Sequence, residues 1–290
     1  MLRRIKKFNK RLQRELSVIK PEIMGIIDDR REYLRQPSNQ FTQQGYEVIP
    51  EFLDKQECDR LIKVADSHIN NHSYLIGGDC YLLCRKDIHD VDLDVQQIMN
   101  AQEIDDKLGQ LFNSHIIEDI FEKRIGEPVS LRNISIKIDN PDTTSKRGYH
   151  TDCVIKTVYK VFIYLTDVNE YGDGPYTVIP GSHLHIYRRL INYFHGWLKQ
   201  VFSPSKHSRN YKEDIQLLYN DKQAVPLFGK AGTMVISNQQ LVHKGWHQQD
   251  KGKRYALVCY VIPAKDYHGQ RFSFGRTALQ KQKNVEVISS

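Results

Sequence analysis

The stretch Val129-Ser-Leu-Arg-Asn-Ile-Ser-Ile-Lys-Ile-Asp139 decides the fold class. Its apolar residues, among them Ile134, Ile136 and Ile138, mostly alternate with polar ones, as in a β-strand with one face on a core. Similar runs follow along the chain between Gly, Pro, Asn and Asp residues, at 158–165, 176–179, 233–237 and 255–262. Several short strands separated by turn residues predict a β-sandwich or barrel in this half of the chain.

The segments before this region are predicted to be helical. Residues 1–36, 55–69 and 105–124 carry apolar residues at three- and four-residue steps. Pro21 is expected to divide the first of these segments into two helices. Because Pro-Ser-Asn-Gln at 37–40 is a polar linker, we expect a basic amphipathic helical arm over 1–40 and a single domain over 41–263, with a C-terminal tail over 264–290.

An aromatic and basic segment at 186–223 interrupts the predicted strands. It is too long for an ordinary loop, and insertions of this size often form lids or the walls of binding sites. Arg188 and Arg189 in this segment are candidates to bind an anionic substrate group. An exposed amphipathic helix would have the same composition.

The 290 residues carry a net charge of +7, and most of it lies in the arm. Residues 1–40 hold eleven Lys or Arg against five acids, whereas the rest of the chain holds 31 against 30. A nearly neutral body argues against a nucleic-acid partner. The basic arm is expected to pack on its own domain, and weak contact of residues 1–20 with an anionic membrane surface is the alternative.

Hydrophobicity and cysteine content predict the compartment. No stretch approaches the roughly 20 apolar residues of a membrane span, so we expect no transmembrane segment. The five cysteines are an odd number, which favours a reducing compartment. A cytoplasmic location is therefore predicted.

Three residues from two separate segments of the chain form a candidate metal site. His150 and Asp152 stand two residues apart, and positions i and i+2 of an extended strand point to the same face. His243, at the end of another β-rich run, supplies a third ligand; nearby His247 is an alternative with a less suitable spacing. Two imidazoles and one carboxylate form the facial triad that suits non-haem Fe(II).

Arg254 lies at the start of the last predicted strand, eleven residues after His243. A guanidinium inside a barrel is costly unless it meets an anion. A dicarboxylate co-substrate would provide that anion through a bidentate contact. Taken alone, Arg254 would be interpreted as a surface residue at the end of a strand.

These residues lie within a longer ordered series of motifs. Through this series the chain resembles the phytanoyl-CoA dioxygenase-like family of Fe(II)/2-oxoglutarate oxygenases. The resemblance covers about residues 41–263. The motifs that carry the resemblance are Phe41 to Ile49 with Phe52-Leu53, His150-Thr-Asp152, Tyr164-Leu-Thr-Asp167, Gly174-Pro-Tyr-Thr-Val-Ile-Pro-Gly-Ser-His183, Gly232-Thr-Met-Val-Ile-Ser237, His243-Lys-Gly245 and Arg254.

The resemblance implies a mainly β fold with flanking helices (α+β) and a double-stranded β-helix core, which is a cupin-like jelly roll. It implies His150, Asp152 and His243 as iron ligands and Arg254 as the residue that binds the distal carboxylate of 2-oxoglutarate. Lys137 and Phe162 match positions that face the co-substrate in relatives. Relatives often carry a small hydroxyl residue two positions after the distal histidine, where this chain has Gly245, so Tyr255 or another hydroxyl is expected to assist Arg254.

The implied activity is oxidation of a small polar or anionic metabolite, free or linked to a carrier, with 2-oxoglutarate and O2 as co-substrates. Asp152 favours hydroxylation over halogenation, because related halogenases replace this carboxylate with a small residue. Desaturation, cyclisation and epimerisation stay open as outcomes. The rival hypotheses are a catalytically silent jelly-roll binding protein and a cupin-type metal oxygenase that does not use 2-oxoglutarate.

Overall fold

The computed structural model describes residues 2–71, 75–77, 79–84, 95–141, 148–155, 157–203, 211–214, 216–249, 252–269 and 272–273. The helices in this part of the chain are α1 (Leu2–Tyr33), α2 (Gln40–Gln44), α3 (Lys55–Asn71), α4 (Asp106–Asn113), α5 (Ile116–Ile125), α6 (Ile186–Phe202) and α7 (Tyr211–Asp214). The strands are β1 (Tyr46–Ile49), β2 (Leu75–Gly77), β3 (Cys80–Cys84), β4 (Val95–Met99), β5 (Val129–Asp139), β6 (Tyr159–Tyr164), β7 (Tyr176–Val178), β8 (Val225–Leu227), β9 (Met234–Asn238), β10 (His243–Gly245) and β11 (Arg254–Pro263).

The strands form two antiparallel sheets. The major sheet has eight strands in the order β1-β9-β6-β11-β5-β4-β3-β2, and the minor sheet has three in the order β10-β7-β8. Val178 and Leu227 of the minor sheet pack with Tyr164 and Val235 of the major sheet in one buried cluster. The mainly β class with flanking helices that the sequence predicts is therefore confirmed.

One face of the major sheet, which we call the outer face, is apolar. Ile134, Ile136 and Ile138 of β5 belong to the largest buried cluster, together with Leu61 of α3 and Phe121 of α5. The helices thus cover the outer face and bury it. Burial of apolar surface from two layers is the main stabilising contribution expected for such a domain.

The opposite, inner face of the major sheet carries the residues that matter for function. The register pairs Ala256 of β11 with Lys137 of β5 and with Tyr164 of β6. Directly opposed residues of antiparallel strands point to the same side. Lys137 and Tyr164 therefore lie on the inner face, towards the minor sheet.

Helix α1 is continuous from Leu2 to Tyr33, so the expected division at Pro21 is wrong. Proline removes one backbone hydrogen bond from a helix interior, but packing on both sides of it holds the two halves in line. Trp197 Nε1 donates to Glu15 O, and Tyr193 Oη donates to Glu22. The arm thus packs on the inserted segment of its own domain.

The other predicted elements fall close to their expected positions. Strand β5 has the predicted bounds, and α3 begins at the predicted Lys55. The region predicted as one helix over 105–124 is two helices, α4 and α5, because the chain turns at His115 with a positive φ. Residues 204–210 and 215 of the inserted segment, and 274–290 of the tail, lie outside the described residues. In the part that is described, no helix combines the length and the apolar character needed to span a bilayer.

Candidate metal centre

The structure brings His150, Asp152 and His243 together between the two sheets. Each offers one ligand atom, and these atoms all lie within 4.8 Å of one another. The Nε2 atoms of His150 and His243 are 3.5 Å and 3.7 Å from the Asp152 carboxylate. Both imidazoles are buried, and Asp152 is partly buried. The alternative ligand His247 is exposed.

Backbone hydrogen bonds hold the His150-Thr151-Asp152 segment from three directions. His150 and His243 exchange N–H to O bonds of 2.9 Å, which sets the two imidazoles side by side. Thr151 N donates to Glu213 O of α7, and Asp152 N donates to Gln239 O after β9. Only His150 makes a β-bridge, so the expectation that both residues lie on one extended strand is wrong. The bonds to neighbouring segments, not strand alternation, aim the carboxylate at the imidazoles.

The hydrogen bonds of the two histidines fix which nitrogen faces the centre. The Nδ1 atoms of His150 and His243 lie 2.8 Å from the carbonyl oxygens of Gly148 and Leu241. Because a carbonyl oxygen can only accept, each Nδ1 carries the proton and donates. Each Nε2 then presents a lone pair, which is the arrangement that metal-ligating histidines show.

Lys160 of β6 contacts the carboxylate of the site and was missed by the sequence argument. Its ammonium donates to Asp152 Oδ2 and lies 4.9 Å from the centre of the Tyr260 ring. Burial raises the pKa of Asp152, but the charge of Lys160 outweighs that effect and holds the pKa well below its usual value. Lys160 is the only charged residue of the otherwise apolar and aromatic strand β6, and this could have indicated a role at the site.

A second charged cluster lies on the inner face at the end of β5. Arg254 Nε donates to Asp139 Oδ2 at 2.9 Å, and Arg254 Nη2 binds the same oxygen. Lys137 Nζ is 2.8 Å from Asp139 Oδ1. Asp139 is therefore contacted by two cations. We call Lys137, Asp139 and Arg254 the clamp cluster.

Burial and charge act in opposite directions on Asp139. Burial raises its pKa, but Arg254 and Lys137 outweigh that effect and lower the pKa to about 2. Asp139 is only 3% exposed, so both cations are anchored to a buried, ionised carboxylate. The register of Arg254 opposite Asp139 places this carboxylate in the cluster.

Aromatic rings lie beside the metal-ligand triad. Phe162 lies on the inner face of β6, and its ring is 4.5 Å from that of Tyr176. The Tyr176 ring is in turn 5.2 Å from His243. Tyr176 Oη and Ser237 Oγ are 3.0 Å apart. These rings form an apolar wall beside the imidazole, as expected for a site that excludes water.

The expected hydroxyl partner of Arg254 is not Tyr255. Tyr255 points to the outer face, where its hydroxyl donates to Asp66 at 2.6 Å. Gly174 leaves room beside the guanidinium. Its φ is +69°, and a Cβ at this position would lie 3.3 Å from Arg254 Nη1. At Gly245 an added Cβ would meet no atom within 4 Å.

Arg188 and Arg189 have partners within the helical layer. Arg189 Nη1 is 3.2 Å from both Asp29 Oδ2 and His183 O. The guanidinium of Arg188 lies 5.3 Å from the centre of the Tyr219 ring. These contacts join α6 to α1 and to the segment after α7, and a role of the two arginines in substrate binding stays a prediction.

Polar side chains continue along the inner face beyond Lys160. Asn133 lies opposite Tyr260, is fully buried, and neither polar atom of its side chain has a hydrogen-bond partner among the described residues. Gln97 Nε2 donates to Ser135 Oγ, and Ser135 Oγ donates to Val258 O. Since buried amides almost always have partners, Asn133 marks a place where a ligand or water would complete the site.

The family model for phytanoyl-CoA dioxygenase (PhyH) matches residues 41–254. The chain belongs to this family. That membership confirms the resemblance to Fe(II)/2-oxoglutarate oxygenases, and the matched span includes the metal-ligand triad and ends at Arg254. No curated protein sequence matches the chain significantly.

Solved structures share the fold. The epimerase SnoN, in complex with Fe3+, α-ketoglutarate and nogalamycin RO, superposes with a TM-score of 0.54 at 16% identity over 82% of this chain and 84% of its own. The carbocyclase SnoK from nogalamycin biosynthesis gives 0.55 at 20% identity, over 78% and 82%. EctD from S. alaskensis with bound Fe gives 0.55 at 15% identity, over 83% and 79%. The fold of the PhyH-family chain is accordingly the expected double-stranded β-helix, or jelly roll.

The residues present fit iron and 2-oxoglutarate. Two neutral imidazole nitrogens and one ionised carboxylate converge, with the Nδ1 protons bound to carbonyl oxygens. Lys137 and Arg254, the cations proposed to bind 2-oxoglutarate, lie on the same inner face. Lys160 contacts Asp152 Oδ2, and Asp152 Oδ1 lies 3.5 Å from His150 Nε2.

Proposed function

We propose that this PhyH-family chain is an Fe(II)/2-oxoglutarate-dependent dioxygenase that hydroxylates an unactivated C–H bond of a small polar or anionic metabolite. The observation that carries the proposal is the convergence of His150, Asp152 and His243 within 4.8 Å, with both Nε2 atoms directed at one point. The balanced reaction is R–H + 2-oxoglutarate + O2 → R–OH + succinate + CO2.

Each group of the site has a role in this reaction. His150, His243 and one oxygen of Asp152 would bind Fe(II), while Lys160 holds the other oxygen and fixes the carboxylate. When bound, iron and 2-oxoglutarate supply the oxidative decarboxylation that activates O2. Arg254 and Lys137 would bind the distal carboxylate of 2-oxoglutarate. Phe162 and Tyr176 exclude water from the space beside His243.

The polar inner face supports a polar substrate. Asn133 has one donor group and one acceptor group to offer, and a metabolite with a hydroxyl or amide group would satisfy both. The nearly neutral body of the chain favours a metabolite over a nucleic acid. Whether the metabolite is free or carrier-linked is decided by comparing both forms as substrates. The cytoplasmic location stays a prediction.

Two measurements test the proposal against its rivals. Anaerobic addition of Fe(II) and then 2-oxoglutarate should produce the weak visible charge-transfer band of a chelated keto acid. A silent binding protein would give no band, and a cupin-type oxygenase would bind iron without responding to 2-oxoglutarate. Succinate release that rises on addition of a candidate metabolite then identifies a substrate.

The type of oxidation needs a separate experiment, because SnoN and SnoK are described as an epimerase and a carbocyclase. Hydroxylation predicts one ¹⁸O atom from ¹⁸O2 in the product. An oxidised or rearranged product without ¹⁸O would replace hydroxylation by desaturation, cyclisation or epimerisation, while leaving the iron and 2-oxoglutarate dependence intact.

A further inference from the structure

Helix α6 exposes a continuous apolar stripe. Tyr187 is 81% exposed, Phe202 is 63% exposed, and Ile191, Phe194 and Leu198 between them are 41 to 46% exposed. At 100° per residue these five side chains fall within an arc of about 80° and extend over about 22 Å. The opposite face of α6 is buried through Asn192, Tyr193, Gly196 and Val201. Scattered apolar residues are normal on a surface, but a contiguous stripe marks an interaction site.

A basic border lies beside this stripe. The first fourteen residues carry seven Lys or Arg and no acid, and α6 also carries no acid. Helix α1 runs beside α6, with the Phe8 and Phe202 rings 5.9 Å apart. Lys6, Lys7 and Lys10 of α1 are exposed. The Arg11 guanidinium of α1 lies 5.6 Å from the centre of the Phe8 ring, so positive charge adjoins the Phe202 end of the stripe.

Two acids of α1 next to α6, Glu15 and Glu22, are directed inward. Glu15 is 4% exposed and lies 3.4 Å from Lys212 of α7. Glu22 accepts from the same lysine at 2.8 Å and also from Tyr193 Oη. These carboxylates are neutralised between the helices, so they do not offset the positive charge of the exposed border.

The combination of an apolar stripe and a basic border fits some binding partners better than others. A second copy of the chain would cover the apolar residues but would bring two basic borders together. A nucleic acid would meet the charge and leave the apolar stripe in water. An anionic bilayer matches both features, because its interface takes apolar side chains and its headgroups attract Lys and Arg.

We propose that the face formed by the α6 stripe and the N-terminal half of α1 docks on an anionic membrane surface. Tyr187, Ile191, Phe194, Leu198 and Phe202 enter the interface, and Lys6, Lys7 and Lys10 contact the headgroups. The helices lie on the bilayer without crossing it. This proposal is independent of the oxygenase activity, since none of these residues belongs to the metal centre or the clamp cluster.

Vesicle co-sedimentation of the full chain tests the proposal. We expect binding to phosphatidylcholine vesicles that contain phosphatidylglycerol, weaker binding to phosphatidylcholine alone, and loss of binding as salt is raised. Phe194→Ser/Leu198→Ser should weaken binding at least about tenfold because it removes apolar area from the interface. Lys6→Glu/Lys7→Glu/Lys10→Glu should abolish the preference for phosphatidylglycerol.

The matched control is Ile116→Ser, which removes an apolar side chain of similar exposure from α5, outside the docking face. It should bind vesicles like the wild type. An unchanged charge-transfer band or melting temperature verifies that each variant is folded. Absence of wild-type binding, or equal binding by the stripe variant, overturns the proposal. So does a dimer in solution that Phe194→Ser/Leu198→Ser dissociates, because the stripe then belongs to a second copy.

Discussion

The two faces of the major sheet are built from the same strands but have opposite chemistry. On β5, Ile134, Ile136 and Ile138 face the helices, whereas Ser135, Lys137 and Asp139 face the minor sheet. Both faces are buried, yet on β5 only the outer one is apolar. A buried face that keeps charges and an unpartnered amide is stable only if other groups satisfy them. We therefore expect substitutions on the outer face to affect folding and substitutions on the inner face to affect binding.

The largest difference in activity between site and outer-face substitutions is expected for the metal ligands. Asp152→Ala should lower iron affinity at least about a hundredfold and remove 2-oxoglutarate turnover, because two imidazoles alone hold Fe(II) weakly. Iron content after gel filtration and succinate release measure both effects. Ile136→Val on the outer face should keep full iron content. Retention of iron by Asp152→Ala would contradict the proposed ligand set.

Asp139→Asn tests the charge balance of the clamp cluster. It removes the carboxylate that both partly buried cations contact, so the free energy of unfolding should fall by about 3 kcal/mol. 2-Oxoglutarate should then raise the melting temperature of the iron-loaded variant more than that of the wild type, since its carboxylate replaces the lost one. An equal or smaller rise would show that the ligand does not bind at this cluster.

The same residue gives a pH dependence with a defined sign. The pKa of Asp139 is lowered to about 2 in the folded chain, from an ordinary value near 3.8. The ionised Asp139 therefore contributes fully to the free energy of unfolding above pH ~4. This contribution decreases as the pH falls towards 2, by about 2 kcal/mol in total. Denaturant melts between pH 5 and 2 should therefore show a steeper loss for the wild type than for Asp139→Asn. Parallel curves would exclude this linkage.

Arg254→Lys keeps the charge but loses the planar fork. We expect KM for 2-oxoglutarate to rise about tenfold, with a smaller change in kcat, because one point charge replaces a bidentate contact. Steady-state succinate release over a range of 2-oxoglutarate concentrations measures this change. Arg132→Lys is the matched control, since Arg132 packs on the Tyr267 ring. Unchanged KM in Arg254→Lys would remove Arg254 from co-substrate binding.

Asn133→Leu should separate stability from function. Replacing a buried, unpartnered amide with an apolar side chain is expected to raise the free energy of unfolding by about 1 kcal/mol. Substrate-stimulated succinate release should fall, while the anaerobic charge-transfer band stays. If the variant is less stable than the wild type, Asn133 is already satisfied and its role in substrate binding fails.

The smallest effect is expected at Gly245, where relatives often carry a hydroxyl. Because an added Cβ would meet no atom within 4 Å, Gly245→Ser should fold normally. A few-fold lower KM for 2-oxoglutarate is expected if the new hydroxyl reaches the co-substrate. Gly245→Ala is the control without a hydroxyl, and equal KM values in the two variants would argue against that contact.

Much of the outer face was predictable because alternation is a local property. The repeat of Ile134, Ile136 and Ile138 predicts strand β5 and the face that packs on the helices. The motif series also predicted His150, Asp152 and His243 as a set. Lys160 and Asp139 were missed, since each acts through a partner distant in sequence, Asp152 or Arg254. Tyr255 was expected on the wrong side of the sheet, because the phase of its strand depends on pairing with β5.

The amino-acid sequence was enough to predict strand β5, the start of helix α3, the family, and the candidate ligands of iron and a keto acid. These follow from residue type and short-range spacing. The tertiary structure alone decided that the His150 and Asp152 side chains converge, since that depends on backbone bonds to Glu213, Gln239 and His243. It also decided that α1 continues through Pro21 and that α6 keeps an exposed apolar stripe. Pairing and packing energies arise between distant segments, so no local pattern encodes them.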